Sequence, residues 1–153
     1  MTAAGRLAEL GLTLPSVVAP AGSYVPAVRT GQFVYTAGQL PVVDGKLPAT
    51  GKVGAEVSPS DAAVMARTCA LNALAAAAAA AGGLDQIARI VKVVGFVASA
   101  PGFNAQPQVI NGASDLLVEV FGEDGRHARS AVGVAELPLN APVEVELIAE
   151  VRG

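Results

Sequence analysis

The chain has 153 residues, which is the size of one domain and enough to bury a substantial core. Apolar residues make up 52% of it and charged residues 15%, which excludes an intrinsically disordered chain and favours association between copies. The net charge of −3 disfavours a general nucleic-acid-binding surface, because such a surface needs clustered basic residues.

The cysteine content and the N-terminus indicate the compartment. Cys69 is the only cysteine, so no intramolecular disulfide forms and a reducing compartment is favoured. Residues 1–14 contain Arg6 and Glu9 and lack the apolar core of a signal peptide. The alanine-rich run at 73–81 is far shorter than a membrane span. We therefore expect a cytoplasmic protein that makes no membrane contact.

The N-terminal part of the chain predicts a short helix, two strands and a tight turn. Residues 2–12 carry a weak apolar stripe at helical spacing. Residues 24–28 and 33–37 read as strands, and Pro26 would confine the first of them to a sheet edge. Asp44-Gly45 is typical of a hairpin turn.

The middle of the chain predicts two helices around a buried strand. Ser58 is a typical N-cap, and Gly82-Gly83 predicts the end of the first helix at about Ala81. Residues 87–99 are apolar on both faces, which is typical of a central strand buried on two sides. Residues 108–121 have apolar side chains at helical spacing.

The C-terminal block predicts a β-hairpin formed by residues 131–136 and 143–151. In the second run, one face is apolar and the other carries Glu144, Glu146 and Glu150. Arg129 stands where the first run begins and Glu144 where the second begins. A hairpin register would bring this cation and carboxylate together.

These elements predict an α+β fold, a mixed sheet of five to six strands with two helices on one face and a short N-terminal helical extension. Two helices cover only one face of such a sheet, so the other face needs a different cover. Self-association with closed cyclic symmetry is the economical solution.

Several familiar chemistries are disfavoured by the residues available. One histidine and one cysteine do not make a structural zinc cluster, and we expect no metal site. No nucleophile elbow, Walker A loop or dinucleotide fingerprint occurs. Cys69 falls within the predicted long helix and is interpreted as a core thiol. What remains is Arg129, whose guanidinium can pair with a carboxylate in a bidentate way.

Two segments carry a resemblance to a known family. Residues 128–138 read ARSAVGVAELP and residues 143–149 read VEVELIA, which is similar to the closing motif of the RidA (YjgF/YER057c/UK114) family. Residues 31–41, GQFVYTAGQLP, resemble the family's strand that ends in S/A-G-Q-x-P. The resemblance covers the chain from about Tyr24 to the C-terminus. It implies one chorismate-mutase-like domain over 1–153, with 1–14 as an extension, assembled as a homotrimer with sites between subunits.

The resemblance also implies roles for particular residues. Arg129 would hold the carboxylate of a 2-imino acid, and Glu144 would orient or deprotonate the attacking water. No cofactor would be needed, because a protonated imine is already electrophilic. By the same resemblance, the other residues at the substrate are Tyr24, Ala37, Gly38, Ala131 and Asn111. His127, one residue before the motif, is a further candidate for facing the cleft.

Other roles remain open for each residue from the sequence alone. Arg129 could pair with a strand carboxylate, and Glu144 could be one of several solvated carboxylates. Tyr24 could be an edge tyrosine, Asn111 a helix-surface residue and His127 a loop residue.

The sequence departs from the family pattern at three positions. Ala131 replaces a frequent cysteine, Ala37 replaces a hydroxyl residue and Gly133 replaces a frequent acidic residue. The expected pocket is therefore wider and less polar than in relatives.

Three functions fit the sequence. The first is an enamine/imine deaminase-like hydrolase that releases ammonia from reactive 2-imino acids. The second is a non-catalytic trimer that binds small carboxylates or regulates a partner. The third is an endoribonuclease L-PSP-like or translation-inhibitor activity, which the acidic balance disfavours.

Overall fold

The computed structural model describes all 153 residues and contains three α-helices and five β-strands. The helices are α1 (Ala3–Glu9), α2 (Pro59–Ala81) and α3 (Gln106–Phe121). The strands are β1 (Ala27–Thr30), β2 (Phe33–Thr36), β3 (Ile87–Ala98), β4 (Ala128–Val134) and β5 (Val143–Val151). Short 3-10 turns occupy Leu84–Gln86, Gly122–Gly125 and Pro138–Asn140. The predicted α+β class is confirmed.

The five strands form one mixed sheet in the order β1-β2-β5-β3-β4. All neighbouring strands are antiparallel except β3 and β4, which run parallel with Val93 opposite Arg129 and Gly95 opposite Ala131. Helix α3 lies between β3 and β4 in the chain. A crossover of this kind is needed to return the chain parallel to the strand it left.

The predicted C-terminal hairpin is wrong. β4 and β5 do not pair, because β3 lies between them in the sheet. β4 also starts at Ala128, three residues before the predicted run, so Arg129 lies inside the strand. The segment after β4 contains two residues with positive φ, Leu139 at 59° and Asn140 at 58°. That segment leads the chain to the far side of β3 instead of folding it back onto β4.

Helix α2 forms as its capping residues predict. The Ser58 hydroxyl accepts a hydrogen bond from the Asp61 N–H at 3.1 Å, and Gly82 ends the helix with φ at 91°. This helix is long and apolar enough to cross a membrane by length and composition, but 67% of its most apolar window is buried inside the protein. It packs on the sheet and on α3 as the central helix of the fold.

Three other predicted elements form with changed bounds. The predicted helix at 2–12 is the shorter α1, capped by the Thr2 hydroxyl. The strand predicted at 24–28 forms instead at Ala27–Thr30, so Tyr24 lies in the bend before it. The second long helix starts at Gln106, two residues earlier than predicted. Asp44 and Gly45 form the predicted turn, with Val43 and Lys46 bridged across it.

The sheet has one covered face and one open face. Alternate residues of β5 point into the core against α2 and α3, as predicted: Val143, Val145, Leu147, Ala149 and Val151. The opposite, open face of the sheet carries large apolar side chains beside charged ones. Its most exposed apolar residues are Val28, Phe33, Tyr35 and Val132. Strand β3 is therefore buried on one face only within the protomer.

Candidate active site

Arg129 lies on the covered face of β4, with its guanidinium held against the first half of α3. Its Nη1 donates to Asn111 Oδ1 at 2.8 Å and to Ser114 Oγ at 3.2 Å. Its Nη2 donates to the Pro107 carbonyl oxygen at 3.3 Å. The guanidinium is positioned because the parallel pairing with β3 places β4 beside α3.

The hydrogen bonds of Arg129 leave part of the guanidinium free. A guanidinium has five N–H donors, and three of them are used by Asn111, Ser114 and Pro107. The remaining donors are Nε–H and one hydrogen on Nη2, two adjacent groups. No acidic side chain forms an ion pair with Arg129, since the three pairs of the chain are Lys52–Glu136, Arg67–Glu119 and Arg126–Glu123. Two free donors are what a bidentate carboxylate needs.

His127 lies behind this guanidinium, two residues earlier on the same face. Its Nδ1 is 2.6 Å from the Gly125 carbonyl oxygen and its Nε2 is 2.9 Å from Ser114 Oγ. Because a carbonyl only accepts, Nδ1 carries the proton and Nε2 accepts from the Ser114 hydroxyl. Burial lowers the pKa of His127; the hydrogen bond to the Gly125 carbonyl partly opposes this shift, and the positive charge of Arg129 adds to it.

Glu144 forms a separate acidic region on the open face. Its carboxylate lies against Gly38, where a Cβ would lie 2.8 Å from Glu144 Cδ and would overlap a carboxylate oxygen. The Gly38 N–H has no hydrogen-bond partner within the chain. Burial, and secondarily the charge of Glu146, raises the pKa of Glu144. The Glu144 carboxylate thus occupies the space that a side chain at position 38 would take.

The expectation that Arg129 and Glu144 meet within one chain is wrong. Arg129 pairs in register with Val93, and Val93 pairs with Leu147 of the covered face. Glu144 is three residues from Leu147 and so points to the opposite face of the sheet. A protomer therefore carries a cationic part of the candidate site on one face and an acidic part on the other.

The structure divides the other predicted site residues between these two parts. Asn111, His127 and Ala131 lie with Arg129, and Ala131 packs partly buried on the core opposite Gly95. Ala37 and Gly38 lie with Glu144 at the end of β2. Tyr24 joins neither part, because it is half exposed and its hydroxyl accepts from the Ala21 N–H at 3.3 Å.

Ser114 is a site residue that the sequence analysis missed. It bonds both Arg129 and His127. Its position was a usable signal, since it is three residues after Asn111 and so shares that residue's helix face. No three His, Cys, Asp or Glu side chains come together in an arrangement that could hold a metal ion.

Glu146 gives a pH-dependent test of the open face. Burial raises the pKa of this carboxyl above its ordinary value of 4.5, so its contribution to stability is complete below that value and is lost as the pH rises through the folded pKa. We expect Glu146→Gln to raise the midpoint of thermal unfolding at about pH 8 and to have a smaller effect at about pH 4. Calorimetry at one protomer concentration measures both, and an equal gain at the two pH values would contradict the burial of this carboxylate.

The fold and the candidate site together define a class of protein. It is a small α+β domain with its helices on one sheet face, an arginine with two unused N–H donors on that face and a glutamate against Gly38 on the other face. Residues 4–151 match the family model described as "YjgF/chorismate mutase-like, putative endoribonuclease". The chain belongs to this YjgF family, which is the RidA family predicted from its motifs.

Individual relatives agree with this assignment. The crystal structure of Atu1372, a protein of unknown function from Agrobacterium tumefaciens, is 49% identical with a TM-score of 0.90, covering 97% of this chain and 92% of that one. Escherichia coli TdcF with bound serine is 30% identical with a TM-score of 0.62, covering 92% and 96%. A 2-iminobutanoate/2-iminopropanoate deaminase from Dermatophagoides farinae is 32% identical over 142 residues, which are 92% of this chain and 95% of the relative.

Proposed function

We propose that this protein hydrolyses 2-imino acids to 2-oxo acids and ammonia, as a homotrimer in which each site lies between two protomers. The observation that carries the proposal is Arg129, a partly buried guanidinium with two free donors and no acidic partner. The deaminase among its relatives and the serine bound by TdcF supply the ligand class, a small molecule with an amino-acid carboxylate.

The separation of Arg129 and Glu144 supports a shared site. Within one protomer they lie on opposite faces of the sheet, so only a second copy can bring Glu144 to the guanidinium. The open face that carries Glu144 also exposes Phe33, Tyr35 and Val132, which a neighbouring protomer would cover. In a ring with cyclic symmetry, Arg129 of each protomer would face Glu144 of the next protomer, so every site would be formed in the same way.

The proposed reaction uses groups of this chain alone. The free Nε–H and Nη2–H of Arg129 hold the substrate carboxylate and orient the imine. Glu144 of the neighbouring protomer takes a proton from a water molecule while the oxygen of that water bonds to the carbon of the protonated imine. The same proton then passes to the nitrogen of the resulting carbinolamine. Glu144 takes the hydroxyl proton as the C=O bond forms, the C–N bond breaks, ammonia leaves and the carboxyl returns its proton to solvent. Burial raises the pKa of Glu144, which makes this carboxylate a stronger base toward water than an ordinary surface glutamate.

The small residues near both parts indicate the substrate's size. Ala131 follows Arg129 on the same face of β4, and Ala37 precedes Gly38. None of these side chains would fill space beside the imino acid. We infer that the site accepts 2-imino acids with side chains larger than ethyl.

The proposal is tested by ammonia release from imino acids generated in place by an amino-acid oxidase. We expect Glu144→Gln to lose most of this activity, because the amide cannot take the proton from water. Glu150→Gln, on the same strand and face but remote from Gly38, is the matched control and should keep the parent rate. Light scattering should give three times the protomer mass. Parent-like release by Glu144→Gln, or a monomeric protein with full activity, would refute the proposal.

A further inference from the structure

A directed chain of hydrogen bonds runs behind Arg129 and has no role in the reaction above. Arg129 Nη1 donates to Ser114 Oγ at 3.2 Å, and the Ser114 hydroxyl donates to His127 Nε2 at 2.9 Å. His127 Nδ1 donates to the Gly125 carbonyl oxygen at 2.6 Å. The tautomer forced by Gly125 leaves Nε2 as the one place where this chain can receive a proton.

We propose that Ser114 and His127 are positioning residues that couple the anion site to a proton: Ser114 holds the guanidinium, and His127 becomes protonated when a carboxylate binds Arg129. The inference rests on the proposed function, since it assigns a regulation to the same site. It makes the protein's affinity for 2-oxo and 2-imino acids depend on pH through one imidazole.

Electrostatics gives the direction of this coupling. In the empty site, the positive charge of Arg129 opposes protonation of His127. A carboxylate bound to the guanidinium cancels much of that charge, so the pKa of His127 rises. By linkage, protonation of His127 must increase the affinity for the carboxylate by the same factor by which the carboxylate increases the affinity of His127 for a proton. Carboxylates therefore bind more tightly as the pH falls through the pKa of His127.

The hydrogen bond from Arg129 to Ser114 can persist in both protonation states. A serine hydroxyl has two acceptor lone pairs and one donor hydrogen. When His127 is neutral, Ser114 accepts from Arg129 and donates to Nε2. When His127 is protonated, Ser114 can accept from both through its two lone pairs. The guanidinium therefore keeps its support while the imidazole changes charge.

No other charged group near His127 competes with this coupling. Helix α3 presents the uncharged Asn111 and Ser114 to the site. The charged side chains of the surrounding elements are engaged by other groups or point elsewhere. Glu123 pairs with Arg126, Asp124 lines the cavity beside α1, and Asp115 is exposed on α3. Arg89 and Lys92 lie on the open face of β3, where Arg89 donates to the Arg126 carbonyl oxygen at 3.4 Å. Arg129 is the one charge that shifts the pKa of His127.

The test follows the imidazole by NMR, which is unambiguous because His127 is the only histidine. The probe is pyruvate, titrated into the full-length protein while the ring resonances report the pKa. We expect pyruvate to raise that pKa, and Arg129→Gln to raise it without pyruvate and to abolish the response to pyruvate. Binding of pyruvate with an unchanged His127 pKa would overturn the inference and leave the proposed function intact. No binding at all would overturn both.

Two variants distinguish a positioning role of Ser114 and His127 from a role in folding alone. His127→Gln keeps an acceptor for Ser114 but cannot titrate, so pyruvate affinity should no longer increase as the pH falls. Ser114→Ala removes a hydrogen bond to a charged group and should weaken pyruvate binding roughly tenfold, with a smaller pKa response of His127. Ser16→Ala, an exposed serine remote from the site, is the matched control. A His127→Gln protein with the parent pH profile would contradict the coupling.

Discussion

Arg129→Ala is expected to lower kcat/KM for 2-imino acids by roughly 10²–10⁴-fold and to abolish saturable pyruvate binding. The reason is the loss of two charge-assisted hydrogen bonds, each worth about 1.5–3 kcal/mol when a carboxylate is bound. Steady-state ammonia release and calorimetric titration of pyruvate measure the two effects. Parent-like kinetics in this variant would remove the basis of the proposed function.

Arg129→Lys distinguishes charge from geometry at the same position. Lysine keeps the positive charge but presents a single ammonium group, so it cannot span Asn111, Ser114 and a carboxylate together. We expect partial recovery over alanine and clearly less activity than the parent. Arg67→Lys is the matched control, because Arg67 bonds Glu119 at 3.0 Å in a solvent-exposed pair between α2 and α3. Such pairs contribute at most about 1 kcal/mol, so its activity should be unchanged.

Gly112→Ala is expected to destabilise the fold by about 2–3 kcal/mol through overpacking. Gly112 lies in α3 where this helix meets α2, and a Cβ there would lie 2.8 Å from the Ala63 carbonyl carbon and overlap its oxygen. Backbone cannot move aside as a side chain can, so the two helices must separate. The sign is informative, since glycine to alanine within an exposed helix normally stabilises by about 1 kcal/mol.

Urea unfolding at a fixed protomer concentration measures this effect, because assembly makes apparent stability depend on concentration. Asp115→Ala is the control on the same helix, where the side chain is exposed and makes no ion pair. We expect it to be neutral or slightly stabilising. A Gly112→Ala protein as stable as the parent would mean that the helices are not in backbone contact at this position.

Local signals in the chain correctly predicted the bounds of α2, and the two sequence motifs correctly predicted the family. The start of α2 follows from Ser58 and its end from Gly82, because each feature needs only a few neighbouring residues. The motif around Arg129 identified the family and the residue on which the proposed function depends. The helix ends can be predicted from sequence because capping hydrogen bonds and a left-handed glycine involve only residues close together in the chain.

Local signals could not predict which strands pair or which residues come together at the site. Alternation in β5 predicted correctly which residues face the core, but alternation says nothing about which strand lies alongside, so the hairpin prediction failed. Ser114 lies beside Arg129 because α3, which connects β3 to β4, packs next to β4.

By itself, then, the sequence determined the two ends of α2 and the core face of β5, and it singled out Arg129. The tertiary structure decided that Arg129 and Glu144 occupy opposite faces of the sheet. The physical reason is that β3 inserts between β4 and β5, a long-range pairing selected by burial of the whole sheet against α2 and α3.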